Sequence, residues 1–296
     1  MDDTLRTCHP AVSFAYFALV IICTMFFMHP VCLVLSTLGG GWYVARLLGG
    51  KGLRRHLLWL LPMALLAAAV NPAFVHQGVT ILAYLPSGNP LTLESLLYGL
   101  AAGAMLSAVA LWFVCVTDVI TSDKVVYLFG RVSPRLSLFL TILLRLIPRI
   151  GREARKINLA QKGIGRGSNQ GNVFQRFINC LRIFSMLITW MISALALESD
   201  SMRSRGSLLR GRTAFSIYRF DNRDRAFVIT LFTCITLTVM GVILGASKMW
   251  YNPRIIWRPL NGIGMTAAIG YLALCLLPLG LELWTEYRFN KARRIA

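Results

Sequence analysis

Charged residues are absent from this chain over long stretches, and the lengths of those gaps set the first expectation. From Ala11 to Ala45 there is no Asp, Glu, Lys or Arg. A helix needs about 20 apolar residues to cross ~30 Å of hydrocarbon, so this stretch is too long for one crossing. His29-Pro30 interrupts it, and Gly39-Gly40-Gly41 interrupts it again. The pattern predicts a tight hairpin of two helices, over roughly 11–28 and 31–48. Leu57–Phe74 predicts a third span and Leu96–Thr117, ending at Asp118, a fourth. Ala226–Ser247 and Pro259–Leu281, each free of charge, predict a fifth and a sixth. The first apolar run is long and no small-residue cleavage site precedes the next span, which predicts a retained helix rather than a cleaved leader.

Between the fourth and fifth spans the pattern changes. Leu143, Ile147, Ile150, Ala154 and Ile157 recur at the spacing of one helical face. Arg145, Arg149, Arg152 and Lys156 recur at the same intervals on another face. An amphipathic helix is expected from about Pro134 to Lys162, kinked at Pro148. Its early part, Leu138–Leu144, is apolar except for Thr141, so the helix is expected to start in the bilayer and leave it. Basic amphipathic helices also lie flat on anionic lipid, and that reading stands beside any docking role. A Gly/Asn-rich break follows at 163–172. The next helix, about Val173–Glu198, carries Phe177, Leu181, Phe184, Ile188, Met191 and Leu195 on one stripe. Its second half is apolar enough to pass for a span. Counting it as one would flip the last two helices and put the basic C-terminus outside, so it is read as the partner of the first helix in a long antiparallel or crossed pair. The polar end at 196–206 closes on Gly206, suited to a C-cap, with Arg203 and Arg205 in the last turn, where the helix dipole favours cations. Asp221 is an expected N-cap for the fifth span.

Composition strengthens the membrane reading. Of 296 residues 56% are hydrophobic and 15% charged, against the ~25% charged of a typical soluble domain. The mean hydropathy is +0.62. The class is an all-α polytopic membrane protein, with about six transmembrane helices and long cytoplasmic helices. Charge orients it, because basic residues stay on the cytoplasmic side. The net charge is +19, and residues 121–225 hold 19 of the 31 basic residues against six acidic ones, a net +13. That segment is placed in the cytoplasm. So is the loop 49–56, with three basic residues, whereas 75–93, with none, is placed outside. Arg288, Lys291, Arg293 and Arg294 put the C-terminus inside, giving a multi-pass protein of the plasma membrane with both termini cytoplasmic. Lys248, Arg254 and Arg258 fall in a loop placed outside, beside Trp250, Tyr251 and Trp257, which read as an interfacial belt. Three regions result: helices one to four in 1–120, a cytoplasmic region 121–225, and helices five and six with a basic tail in 226–296.

Reactive chemistry is hard to find in the sequence. There is no G-x-x-x-x-G-K-[ST], no H-E-x-x-H and no G-x-S-x-G, and no paired carboxylates lie within the spans. The seven cysteines are scattered without a C-x-x-C pair, and His9, His29, His56 and His76 are isolated. No metal, cofactor or catalytic residue is assigned. Asp118 and Glu282 lie at span ends, which argues against an ion path through the membrane. The basic segment lacks the aromatic-studded groove of a nucleic-acid site.

The strings Ala194-Leu-Ala-Leu-Glu-Ser-Asp-Ser-Met-Arg-Ser-Arg-Gly206 and Gly211-Arg-Thr-Ala-Phe-Ser-Ile-Tyr-Arg-Phe-Asp-Asn-Arg-Asp224 resemble the T component of energy-coupling factor (ECF) transporters, the CbiQ/EcfT family. So do His9-Pro10, Asn89-Pro90-Leu-Thr-Leu-Glu94 and Thr121-Ser-Asp-Lys124, and the resemblance covers nearly the whole chain. The family carries two Ala-Arg-Gly motifs at the ends of long cytoplasmic coupling helices. Ser204-Arg205-Gly206 is similar to the second. The first falls at Gly163-Ile164-Gly165, with Ile where Arg is usual and with Arg166 or Lys162 as the nearest cation. The resemblance implies a non-catalytic coupling subunit of a vitamin or trace-metal importer. Two ABC-type ATPase subunits would dock on its coupling helices through residues 163–166 and 203–206. A separate small membrane protein, the S component, would bind the substrate. Two other classes remain open: a polytopic enzyme acting on anionic lipid headgroups, with the arginines as phosphate clamps, and a passive membrane scaffold or channel.

Overall fold

The computed structural model describes residues 4–75, 78–84, 90–206, 218–244, 249–251, 254–256 and 262–295. In chain order its helices are α1 (Thr4–Thr7), α2 (Pro10–Phe26), α3 (Pro30–Phe74), α4 (Leu93–Val119), α5 (Ser122–Val132), α6 (Pro134–Gly163), α7 (Val173–Ser204), α8 (Asn222–Ile243) and α9 (Gly262–Ile295). A two-stranded antiparallel hairpin, β1 (Ile81–Tyr84) and β2 (Pro90–Thr92), joins α3 to α4. The chain separates into two compact units, Met1–Thr121 with Tyr218–Ala296, and Ser122–Ile217. Among the described residues, five helices are long and apolar enough to cross a membrane: α3, α4, α7, α8 and the stretch Gly264–Tyr287 of α9. The shorter α2 is apolar as well. The architecture is consistent with an all-α polytopic membrane protein.

The expected hairpin over 11–48 forms, but not with both expected breaks. His9 caps α2, its ring nitrogen accepting the Ala11 N–H at 3.3 Å, and Pro30 opens α3 at a position where a missing N–H costs nothing. The expected break at Gly39-Gly40-Gly41 is absent; α3 runs straight through these residues. They allow close approach of neighbouring helices instead: a methyl on Gly39 would lie 2.9 Å from Cys275 Cβ, and one on Gly40 3.4 Å from the Trp112 indole. Helical geometry fails at Gly49, whose φ of 73° is open to glycine at little cost. The basic stretch expected as a loop at 49–56 is therefore helical from residue 50 on. α9 likewise continues past the expected end at Leu281 into the basic tail. Lys248, Trp257 and Arg258 lie outside the described residues, as do 85–89 of the segment placed outside and 207–217.

Within the first unit, α2 lies among the other helices and its aromatic residues fill the core. Tyr16, Phe17, Tyr43, Trp112, Phe227 and Tyr271, contributed by five helices, are all buried. Tyr16 meets Phe17, Trp112 and Phe227 edge-on at 5.2–6.2 Å between ring centres, a geometry worth about 0.5–1.5 kcal/mol per pair beyond burial. Four helices are also tied by hydroxyls: Thr24 shares hydrogen bonds with Ser36 at 3.0 Å and Tyr271 at 2.8 Å, and Trp112 Nε1–H donates to Ser36 at 3.0 Å. Such bonds carry weight where no water competes. α4 packs on the second half of α3 through Gly99-x-x-x-Gly103, each glycine sitting over the backbone of Ala68 or Ala64.

Polar contacts gather at the two ends of this unit. At one end Arg6 pairs with Asp118 at 2.6 Å, Arg46 approaches Glu282 and Glu286 at 3.8 and 3.3 Å, and the His9 N–H donates to Asp224 at 3.3 Å. At the other, the Tyr251 hydroxyl donates to the Met28 carbonyl and the Ser95 hydroxyl to that of Val75. Successive helices thus run in alternating directions. The chain leaves α4 at Asp118 and re-enters α8 at Asp224 on the same end.

Candidate functional site

Among the described residues, the second unit is built from three helices. α5, which the sequence pattern does not reveal, turns back on α6 at Ser133, and Gly130 fits closely over Ser137 there. Pro134 opens α6, which continues unbroken through Pro148 to Gly163. α7 follows after the 164–172 turn, capped by a reciprocal pair: the Asn172 side chain accepts from the backbone of Gln175, and the Gln175 side chain accepts from that of Asn172. Side-chain pairs fix α6 and α7 as an antiparallel pair. Arg145 lies 4.0 Å from Glu198, the Arg149 guanidinium sits 5.3 Å over the Trp190 ring, and the Gln161 amide reaches the Met186 sulfur at 3.6 Å.

The turn between them is held by amides. Ser168 N–H donates to the Asn158 side chain at 3.0 Å and Gly167 N–H to that of Gln170 at 2.8 Å. The buried Asn179 donates back to the Gly167 carbonyl at 3.2 Å.

Both helices carrying the expected docking motifs end in the same manner. Arg205 is the C-cap of α7, and Gly206 follows with φ 74°, its N–H donating to the Arg203 carbonyl at 3.0 Å. Ile164 is the C-cap of α6, and Gly165 follows with φ 74°, its N–H donating to the Lys162 carbonyl at 3.1 Å. Left-handed glycine here satisfies carbonyls the helix leaves open. Ile164 therefore occupies the place on α6 that Arg205 occupies on α7. Antiparallel packing sets these two tips far apart. Arg145 lies beside Glu198, so Arg205, seven residues further on, falls near residue 138 of α6, about 40 Å from Ile164 at 1.5 Å per residue.

At the α7 tip a cleft of about 350 Å³ opens between the helices, lined by Arg145, Arg149, Glu198, Ser201 and Arg205 with Ala194, Leu197 and Met202. Three guanidiniums share this lining with one carboxylate; Arg145 pairs with it at 4.0 Å, and the Arg149 guanidinium lies over Trp190. The structure thus brings together three residues that the sequence places in two separate groups, the basic stripe of one helix and the end of the next. Arg152 and Lys156, of the same stripe, stay exposed outside the cleft, Lys156 pairing with Glu153 at 3.2 Å. Arg203 is exposed, and the Ser204 hydroxyl caps its own helix on the Ser201 carbonyl. Glu198, Ser201 and Trp190 are not singled out by the sequence; only the register of the helix pair places them opposite the arginines.

At the α6 tip Gly163, Ile164, Gly165 and Arg166 are all exposed. A methyl on Gly167 would lie 2.3 Å from Lys162 Cγ, so the Lys162 stem is laid across the turn, and Arg166 is the cation that follows the cap directly. Among the described residues, no group of three His, Cys, Asp or Glu side chains is placed to hold a metal ion. No protein-family model matches the chain, and no curated protein matches it.

Proposed function

We propose that this chain is the transmembrane coupling subunit of an ECF-type importer, carrying conformational work from two ABC-type ATPase subunits to a separate substrate-binding membrane protein. The observation that carries the reading is the α7 tip. Arg205 stands at a helix end fixed by Gly206 and shares its cleft with Arg145 and Arg149, against Glu198 alone. A planar, permanently charged fork at a rigid point suits a carboxylate or carbonyls in a partner groove. In this reading the chain itself does no chemistry, and ATP is hydrolysed by the partners.

Six crossings with both termini in the cytoplasm fit this role. In this reading 122–217 crosses the membrane an even number of times, because the chain leaves α4 and re-enters α8 at one end of the first unit, and among the described residues of that segment α7 alone is apolar enough to span. α7 is then a cytoplasmic helix despite its composition. Phe177, Leu181, Phe184, Ile192 and Leu195 are exposed along it, and an apolar row of that size calls for a covering partner. The substrate-binding membrane protein is the partner proposed for it.

The test is ATPase retention and ATP-driven uptake in Arg205→Glu beside Arg155→Glu, an exposed α6 arginine outside the cleft. Removing one partner of a buried charged contact costs about 2–5 kcal/mol, a loss of at least ~25-fold in affinity. Arg205→Glu is expected to release an ATPase and stop uptake, with Arg155→Glu unchanged. Full retention and uptake in Arg205→Glu would remove the docking role.

A further inference from the structure

The second half of α3, residues 50–74, begins with three cations that no described side chain neutralises. Helical geometry fails at Gly49 and resumes at once; a methyl on Gly52 would lie 2.5 Å from Leu48 Cβ, so the turn is close. Lys51, Arg54 and Arg55 follow within about 6 Å of helix axis, all of them exposed. Among the described residues none of the three forms an ion pair. The sequence holds no Asp or Glu between residues 4 and 93. Against α4 the segment runs antiparallel, Ala68 over Gly99 and Ala64 over Gly103, a register that carries its first turn to the level of Asp118. The carboxylates at that end are engaged elsewhere: Asp118 by Arg6, Glu282 and Glu286 by Arg46, and Asp224 by the His9 N–H. Helix electrostatics does not account for the three cations either, because the dipole disfavours positive charge in the first turn.

Beyond the cations the same helix face changes character in a fixed order. Lys51, Arg54, Arg55, Leu58, Trp59 and Leu66 share one face at the helical period, and all six are exposed. Trp59, one turn past Arg55, is 78% exposed, and Leu58 and Leu66 are each 67% exposed. Charge, indole and alkane succeed one another over about 22 Å of helix. That is the order of phosphate, interface and hydrocarbon in half a bilayer, with tryptophan at the level where amphipathic rings gather. A groove on a protein partner has no reason to follow it. Three cations this close also exceed the charge of one phosphodiester, and a headgroup with two phosphates matches them better. Each guanidinium can take one phosphate through two parallel N–H donors, with Lys51 as a point charge beside them.

We infer that this face of α3 binds an anionic phospholipid bearing two phosphates, its headgroup on Lys51, Arg54 and Arg55 and its acyl chains along Trp59 and Leu66. The site needs a membrane-crossing first unit and goes beyond the coupling role. Its failure leaves that role standing, because no ATPase contact is involved.

Lipid retention by the full chain provides the test, and α6 supplies a matched control. Arg152, Arg155 and Lys156 repeat the spacing of Lys51, Arg54 and Arg55 and are likewise exposed, but Ala160 stands in the place of Trp59. The chain is purified in phosphatidylcholine–detergent micelles and titrated with tetraoleoyl cardiolipin, and bound lipid is counted by native mass spectrometry. Lys51→Gln, Arg54→Gln and Arg55→Gln combined are expected to weaken cardiolipin binding about tenfold or more. Arg152→Gln, Arg155→Gln and Lys156→Gln combined are expected to weaken it less than about twofold. Equal losses would show headgroups following net charge alone and overturn the site. Two further comparisons use the unaltered chain and hold whether or not a variant folds. Dioleoyl phosphatidylglycerol, with one phosphate, is expected to bind about tenfold more weakly than cardiolipin or worse; equal binding would overturn the two-phosphate headgroup. Cardiolipin is expected to raise the melting temperature, and soluble pyrophosphate, which has no acyl chains, to leave it unchanged. Equal stabilisation by pyrophosphate, or none by cardiolipin, would overturn a lipid as the occupant.

Discussion

Ser36 sits where four helices meet, accepting the Trp112 indole N–H and hydrogen-bonded to Thr24, which bonds Tyr271 in turn. Ser36→Ala leaves a buried indole donor without its acceptor, at a cost of about 1–3 kcal/mol. Ser107, whose hydroxyl bonds only the Ala104 carbonyl of its own helix, is the matched comparison. Thermal unfolding in detergent micelles should show a clear drop for Ser36→Ala and little change for Ser107→Ala; equal shifts would show that the network does not tie the helices. None of these partnerships is legible in the sequence, since serines and threonines in an apolar run look alike whichever way they face. Arg205 differs. Its place at a helix end before a glycine can be read directly, because capping is a local rule. Its neighbours Arg145 and Glu198 cannot, because they depend on how two helices register over some 50 residues.

Among the elements, glycines that read as breaks in the sequence are mostly contacts in the fold. Whether a glycine bends a helix or lets another one close depends on what faces it, which sequence does not display. Gly99 and Gly103 lie over carbonyl oxygens of Ala68 and Ala64, where a methyl would come within 2.4 and 2.5 Å. Gly41 is helical with nothing within 4 Å of such a methyl. Gly99→Ala and Gly103→Ala are therefore expected to force α3 and α4 apart and lower the melting temperature in micelles. Gly41→Ala is expected to gain roughly 0.5–1 kcal/mol from helix propensity. Destabilisation of similar size in all three would mean that the close packing at Gly99 and Gly103 is not what holds this pair. The β1–β2 hairpin and α5 are hidden in the sequence for another reason: short elements carry too few periods to stand out against their flanks.

For the whole molecule, the apolar spans are the most legible feature, because a run of ~20 residues without charge is matched in length to the hydrocarbon of a bilayer. α7 is the exception: its composition suits a span, whereas the proposed role puts it in the cytoplasm. Its location is decided by an impermeant maleimide applied from outside in a Cys180→Ser background. Leu82→Cys, exposed on β1, should label, and Asn169→Cys, exposed on the turn after α6, should not. Labelling at Asn169→Cys alone would invert the topology and with it the cytoplasmic docking role.

The hydroxyl network at the centre of the bundle also sets an order of assembly. Thr24 and its partner Tyr271 are 247 residues apart, and Tyr16 donates to the Leu274 carbonyl across 258. At about 5–20 residues per second of synthesis, α2 waits roughly 12–50 s for α9 to be made. During that interval Thr24 can already bond the neighbouring Ser36, but Tyr16 faces hydrocarbon with its hydroxyl unspent. The newborn bundle is thus open around α2, which is made long before α9 and is completed only when α9 leaves the insertion machinery.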